Sequence, residues 1–224
     1  MVRSVQRAES LGTQIANIVR QRIVRGELAA GDRVTEEALA EEFAVSRGPV
    51  RDAITQLSYE RLVEVHKPRG VYIVGLDDDD IDQLYSLRSA LERLALQRAM
   101  QVHDEERWAA SRDAVDRMAE AADSGDHAAF LAADLEFHAL IYALADHPRL
   151  DGMWRQYLPT FEALLEVTIN HDVDLHDSAD DHHRLYDIMR SGDVSAATGV
   201  LDEHLEGARE RMALELLARR QRSA

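Results

Sequence analysis

The chain has 224 residues, of which 46% are hydrophobic, and 42 acidic side chains against 26 basic ones give it a net charge of −16. This composition folds, and the absence of cysteine excludes disulfide scaffolds, cysteine-ligated zinc, iron–sulfur clusters and thiol catalysis. No apolar run reaches the roughly 18 residues of a membrane span and no apolar stretch follows Arg3 and Arg7, so a cytoplasmic protein with no membrane partner is expected.

The charge is divided unevenly. Residues 1–75 hold 11 Lys and Arg against 10 Asp and Glu, whereas residues 76–224 hold 15 against 32, together with nine of the ten histidines. An acidic body repels DNA phosphates, so any DNA contact is confined to the first part. Two domains with different jobs are expected, 1–75 and 76–224.

The first predicted helix is the run Leu11, Ile15, Ile18/Val19, Ile23, which Gly26 terminates. A second, short helix starts at Thr35 as N-cap and buries Ala38, Leu39 and Phe43. After a turn at Ala44–Val45, Ser46 is the expected cap of a third helix, with Pro49 in its first turn. Val50, Ile54 and Leu57 form its apolar stripe, while Arg47, Arg51 and Thr55 form another at i, i+4, i+8. From Leu62 the period alternates through His66, turns at Lys67-Pro-Arg-Gly70 and alternates again over Val71–Val74, which predicts a two-stranded hairpin. Three helices and a basic-tipped hairpin make a winged helix-turn-helix. Arg47 and Arg51 face outward one turn apart, where arginine forks suit guanine O6/N7 or flanking phosphates. Lys67, Arg69 and Gly70 at the wing tip add a backbone or minor-groove contact.

From Asp77 onward the period is helical. Six segments are expected, about 77–102, 104–122, 126–146, 149–171, 174–191 and 193–220, forming an antiparallel bundle. The mostly α fold thus joins a winged helix to an all-α domain, and Gly75–Asp77 is too short a link to decouple them. Asp77–Asp80 lacks calcium-loop spacing and reads as carboxylates at a helix N-terminus.

Four polar residues interrupt the bundle's apolar stripes: Asp134 and His138 among Leu131, Leu135, Ile141 and Tyr142, His182 beside Leu185 and Met189, and His204 beside Leu201 and Leu205. A carboxylate and three imidazoles sent into one core are costly without a shared partner. A divalent cation, whether Zn, Ni or Mn, relieves that cost, though the spacing alone also allows each histidine simply to pack. Arg88 lies on the buried side of its helix, either pairing with Glu92 or helping to bind an anionic effector. A metal-dependent hydrolase is the alternative class. It is set aside because no inward Asp or Glu beyond Asp134 is expected to serve as a general base, and because it leaves the winged helix unexplained.

The stretch Leu39-Ala-Glu-Glu-Phe-Ala-Val-Ser-Arg-Gly-Pro-Val-Arg-Asp-Ala-Ile54, with Arg61-Leu-Val-Glu-Val65 and Arg69-Gly70, resembles the DNA-binding domain of GntR-family transcription regulators. The resemblance implies that Arg47 and Arg51, flanked by Ser46 and Thr55, contact double-stranded operator DNA, and that Gly70 enters the minor groove. Gly48, Asp52 and Arg61 depart from the usual string, and an arginine that some members carry in the second helix has no counterpart in Glu36-Glu-Ala-Leu39. The second half resembles the FCD effector-binding domain of the FadR subfamily through Leu87–Glu92, Asp134–His138, Asp181–Leu185 with Gly192-Asp193, and Asp202–Leu205. That resemblance implies metal ligands at Asp134, His138, His182 and His204, a small carboxylate effector that Arg88 helps to hold, and a homodimer acting as a repressor.

Overall fold

The computed structural model describes residues 9–66, 70–172 and 174–223. The chain divides into two compact units, residues 1–77 and 78–224.

In the first unit α1 (Leu11–Val24) begins at Ser10, whose side chain accepts from the Thr13 amide, and buries Ile15, Ala16, Val19 and Ile23. Thr35 caps α2 (Glu36–Glu42) by accepting from the Ala38 amide. Only Leu39 of α2 is buried, while Ala38 faces solvent and Phe43, at the C-cap, is half-buried. The expected burial of Ala38 is thereby corrected, because a helix of seven residues turns too little surface inward to cover both positions. Ser46 occupies the N-cap of α3 (Arg47–Tyr59) but makes no side-chain cap bond. The third helical residue, a usual donor to such a cap, is Pro49, which has no N–H.

The wing strands are β2 (Val63–His66) and β3 (Gly70–Ile73), antiparallel with Val63 opposite Ile73 and His66 opposite Gly70. A further strand, β1 (Arg33–Val34), pairs with the other edge of β3, so the sheet runs β1-β3-β2. Two residues are too few to show an alternating period, which is why this strand escapes a reading of the sequence. The core joins α1, Leu39, the α3 stripe Val50, Ala53, Ile54 and Leu57, and the strand residues Val63, Val71 and Ile73.

The second unit is a bundle of α4 (Asp78–Ala99), α5 (Glu105–Ser124), α6 (His127–Leu144), α7 (Pro148–His171), α8 (His176–Ser191) and α9 (Val194–Ser223). Three aspartates fill the first turn of α4, where the helix dipole favours them. Asp104 caps α5, and Gly125 ends it at a φ of 65°; Asp126 then caps α6 within two residues. Helix α5 packs on α6 and α8, α4 on α6 and α9, and α7 on α6 and α9. This arrangement brings the inner stripes of α4, α6, α8 and α9 to one polar interior. No helix among the described residues is long and apolar enough to cross a membrane.

Candidate functional sites

The α3 stripe fixes one face of that helix in the core, and a neighbouring face carries Arg47, Arg51 and Thr55, all exposed. Thr55 Oγ1 donates to the Arg51 carbonyl at 2.7 Å. Ser46 is exposed at the helix start. The two arginines are not bare. Arg47 Nη2 donates to Glu37 Oε1, and Arg51 Nε donates to Glu36 Oε2 at 2.7 Å, both partners lying on α2. At the other end of α3, the Glu60 C-cap carboxylate takes Nε and Nη2 of Arg20, each at 2.7 Å, while Arg20 Nη1 donates to Asn17 Oδ1 at 2.6 Å. Lys67 and Arg69 lie outside the described residues. Gly70 has φ +117°, a conformation that favours glycine at the wing turn, while the one close neighbour a Cβ would meet, the exposed Arg33 side chain at 3.0 Å, can move aside.

In the bundle, Asp134, His138, His182 and His204 come together, all buried. The three histidines each offer a nitrogen, and these nitrogens lie within 4.8 Å of one another. Asp134 Oδ2 lies 3.2 Å from His182 Nε2 and 3.5 Å from His138 Nε2. The outer nitrogens decide the tautomers. His182 Nδ1 is 2.6 Å from the Ser178 carbonyl, which only accepts, and His138 Nδ1 is 2.7 Å from Glu92 Oε2. Both Nδ1 atoms therefore carry hydrogen and, in the neutral rings, both Nε2 lone pairs point inward. A lone pair on His182 then faces a carboxylate oxygen, and His138 Nε2 is buried with no hydrogen-bond partner. His204 stacks on His138 at 5.5 Å and meets His182 edge-on at 4.4 Å. Burial, together with His182, His138 and Arg88, pushes its imidazole well below the ordinary range. Burial opposes charge on Asp134, but the contact with His182 and the neighbouring His138 and Arg88 hold its carboxyl at about 2. Neutral imidazoles converging on a carboxylate fit a divalent cation.

A second acid points inward, Glu92 on α4, 1% exposed. Burial disfavours its charge, yet His138 and Arg88 outweigh burial and hold the carboxyl at about 2. Both of its oxygens are engaged, Oε1 by Arg88 Nε at 2.6 Å and Oε2 by His138, so it orients His138 and is no free general base. The expected Arg88–Glu92 pair is present, but it uses only part of the arginine. Nη1 and Nη2 of Arg88 are buried without partners, as are Tyr85 OH, Tyr142 OH and Trp154 Nε1. The guanidinium sits 5.2 Å from the Phe161 ring and 6.0 Å from that of Trp154, on which Tyr142 stacks at 4.8 Å. Burial raises both phenols, keeping them neutral donors. A cavity of about 20 Å³ opens beside the histidines, with Asp134, Thr168, Ser178, His182, His204 and Arg211 in its walls. It accommodates one ion or one water.

The FCD domain model matches residues 83–207, and the model of bacterial regulatory proteins of the gntR family matches residues 11–73. The gluconate operon transcriptional repressor of Bacillus subtilis (strain 168) is 28% identical over 178 residues, covering 80% of this chain and 72% of the relative. The probable D-xylose utilization operon transcriptional repressor of Paenarthrobacter nicotinovorans is 28% identical over 199 residues, 88% of this chain and 86% of the relative. A putative transcriptional regulator GntR from Rhodococcus sp. RHA1 superimposes with a TM-score of 0.64 at 26% identity, covering 91% of this chain and 98% of that one. E. coli McbR/YncC has the same fold, with a TM-score of 0.72 at 19% identity over 93% of this chain and 100% of that one.

Proposed function

Because the chain belongs to the gntR family of bacterial regulatory proteins and carries an FCD domain, we propose that this transcription regulator is a repressor whose hold on its operator is set by a small organic acid bound at a metal. The relatives named as a repressor of the gluconate operon and a probable repressor of a D-xylose utilization operon support the direction of control. The family is one of regulators, and no relative named above supports the hydrolase alternative.

Two chains form a homodimer that sets α3 of each into successive major grooves of a pseudo-palindromic operator. Arg47 and Arg51 read or clamp the DNA, with Ser46 and Thr55 beside them and Lys67, Arg69 and Gly70 at the wing. In the second unit Asp134, His138, His182 and His204 hold a divalent cation, with Zn, Ni and Mn the ions that suit such donors. When bound, the ion supplies positive charge and open coordination positions for a carboxylate. Glu92 and the Ser178 carbonyl fix His138 and His182 in the ligating tautomer. Arg88 offers two terminal nitrogens to the effector, while Tyr85, Tyr142 and Trp154 offer further donors. A simple carboxylate saturates the arginine fork and leaves those three donors unmet. The preferred effector therefore carries further oxygen acceptors along its carbon chain. Its affinity difference between the DNA-binding and released arrangements sets the size of the response.

The observation that carries this reading is the pair of inward Nε2 atoms, one facing a carboxylate and one without a partner. The test is elemental analysis of protein purified without an affinity tag or added metal. About one equivalent of a divalent transition metal per chain is expected, and Asp134→Ala should lose it. Folded, DNA-binding protein that holds no metal would reduce the four residues to packing.

A further inference from the structure

We propose that Glu36 and Glu37 are specificity-determining residues of the DNA-binding face, suppressing attachment to DNA of arbitrary sequence by neutralising and orienting Arg51 and Arg47. The proposal rests on the reading of α3 as the recognition helix and goes beyond it, because these two residues belong to α2.

The helix dipole accounts for acidic residues in the first turn of α2. It does not account for both of them reaching across to the two arginines that α3 presents. Arg47 and Glu37 are 55% and 76% exposed, and Arg51 and Glu36 are 63% and 36% exposed, so neither pair is part of the core. The first 75 residues hold only one more basic than acidic side chain. That is an unusually small excess for a surface that must approach phosphates, and these two carboxylates sit beside the charges most directly involved.

The consequence differs between DNA backbone and base edge. A phosphate that takes Arg47 or Arg51 exchanges one anion for another and brings its own charge up against the displaced carboxylate. Little is gained, and fewer counterions are released. A guanine edge presents two neutral acceptors, O6 and N7. Arg51 can meet them with its terminal nitrogens while Glu36 still holds Nε, and that grip fixes the plane of the fork. Glu36 therefore costs non-specific binding more than it costs the operator, while Glu37, which takes a terminal nitrogen of Arg47, holds that arginine back from phosphate.

The test compares wild type with the double variant Glu36→Gln/Glu37→Gln as full chains. The probes are an operator duplex recovered by wild-type protein from a random pool and a scrambled duplex of the same composition. Affinity for the scrambled duplex should rise about tenfold with a steeper salt dependence, while operator affinity changes less than about threefold, so that the specificity ratio falls. Both substitutions are at exposed positions, and an unchanged melting curve verifies the fold. Arg47→Ala and Arg51→Ala are measured in parallel. If they weaken operator binding but the ratio is unchanged in the glutamine variant, the proposal is overturned alone. If they leave operator binding intact, the reading of α3 falls and takes the proposal with it.

Discussion

Each unit of the chain buries one arginine to 1% exposure, and the two are finished differently. In the winged helix, Arg20 spends Nε and Nη2 on both oxygens of Glu60 and Nη1 on Asn17. In the bundle, Arg88 spends Nε on Glu92 and leaves both terminal nitrogens unpartnered among aromatic rings. An unmet buried donor costs free energy that folding alone gives no reason to spend. The completed arginine ties α1 to the end of α3, whereas the incomplete one is the group proposed above to bind the effector. The same contrast holds between Gly70, fixed by its backbone conformation, and the histidine cluster, where the chain assembles polar groups without satisfying them.

This contrast is broken most directly at Arg20. Arg20→Met takes the bidentate partner from the part-buried Glu60 carboxylate and should cost about 1–3 kcal/mol of stability. Denaturant unfolding followed by far-UV circular dichroism measures it, since both tryptophans, Trp108 and Trp154, lie in the second unit. A loss below about 1 kcal/mol would show the pair to be no scaffold. At the next level, Glu92→Gln keeps the shape of the side chain but weakens its grip on His138, and should lower metal affinity about 10- to 100-fold in a chelator competition. Unchanged affinity would separate Glu92 from the metal centre. The smallest effect on stability is expected at Arg88→Lys. It keeps a cation beside the buried Glu92 while removing the two-nitrogen fork, so stability should stay within about 1 kcal/mol of wild type. Thermal stabilisation by hydroxy-acids should nevertheless disappear. A large loss of stability with stabilisation retained would place Arg88 with Arg20 as scaffolding.

Much of this architecture is legible in the amino-acid order. The six bundle helices are marked by their 3.6-residue stripes and by Gly125-Asp126 and Gly192-Asp193 between them, and the recognition helix by two stripes on one segment. Other features are hidden for physical reasons. Glu92 falls four residues after Arg88, a spacing that ordinarily means a solvated surface pair. The inward run Ile81, Tyr85, Arg88, Glu92, Ala95 and Ala99 carries the information that it is not one, had the stripe been followed through its charged members. Tyr142 and Trp154 read as core aromatics, because only three-dimensional placement reveals that their polar atoms lack partners. The α2–α3 ion pairs join positions ten and fifteen residues apart, beyond the reach of any helical period.

The 20 Å³ cavity beside His182 and His204 has a bearing on time as well as on affinity. If the proposed organic acid binds at the ion, it is larger than this space and would enter only when the helices part. Its association rate then stops rising with concentration and levels off at the opening rate, a collective motion of microseconds to milliseconds or slower. Departure passes through the same gate. A repressor so built averages over brief surges of metabolite and answers those that last, and rapid mixing with rising effector concentration would display that plateau.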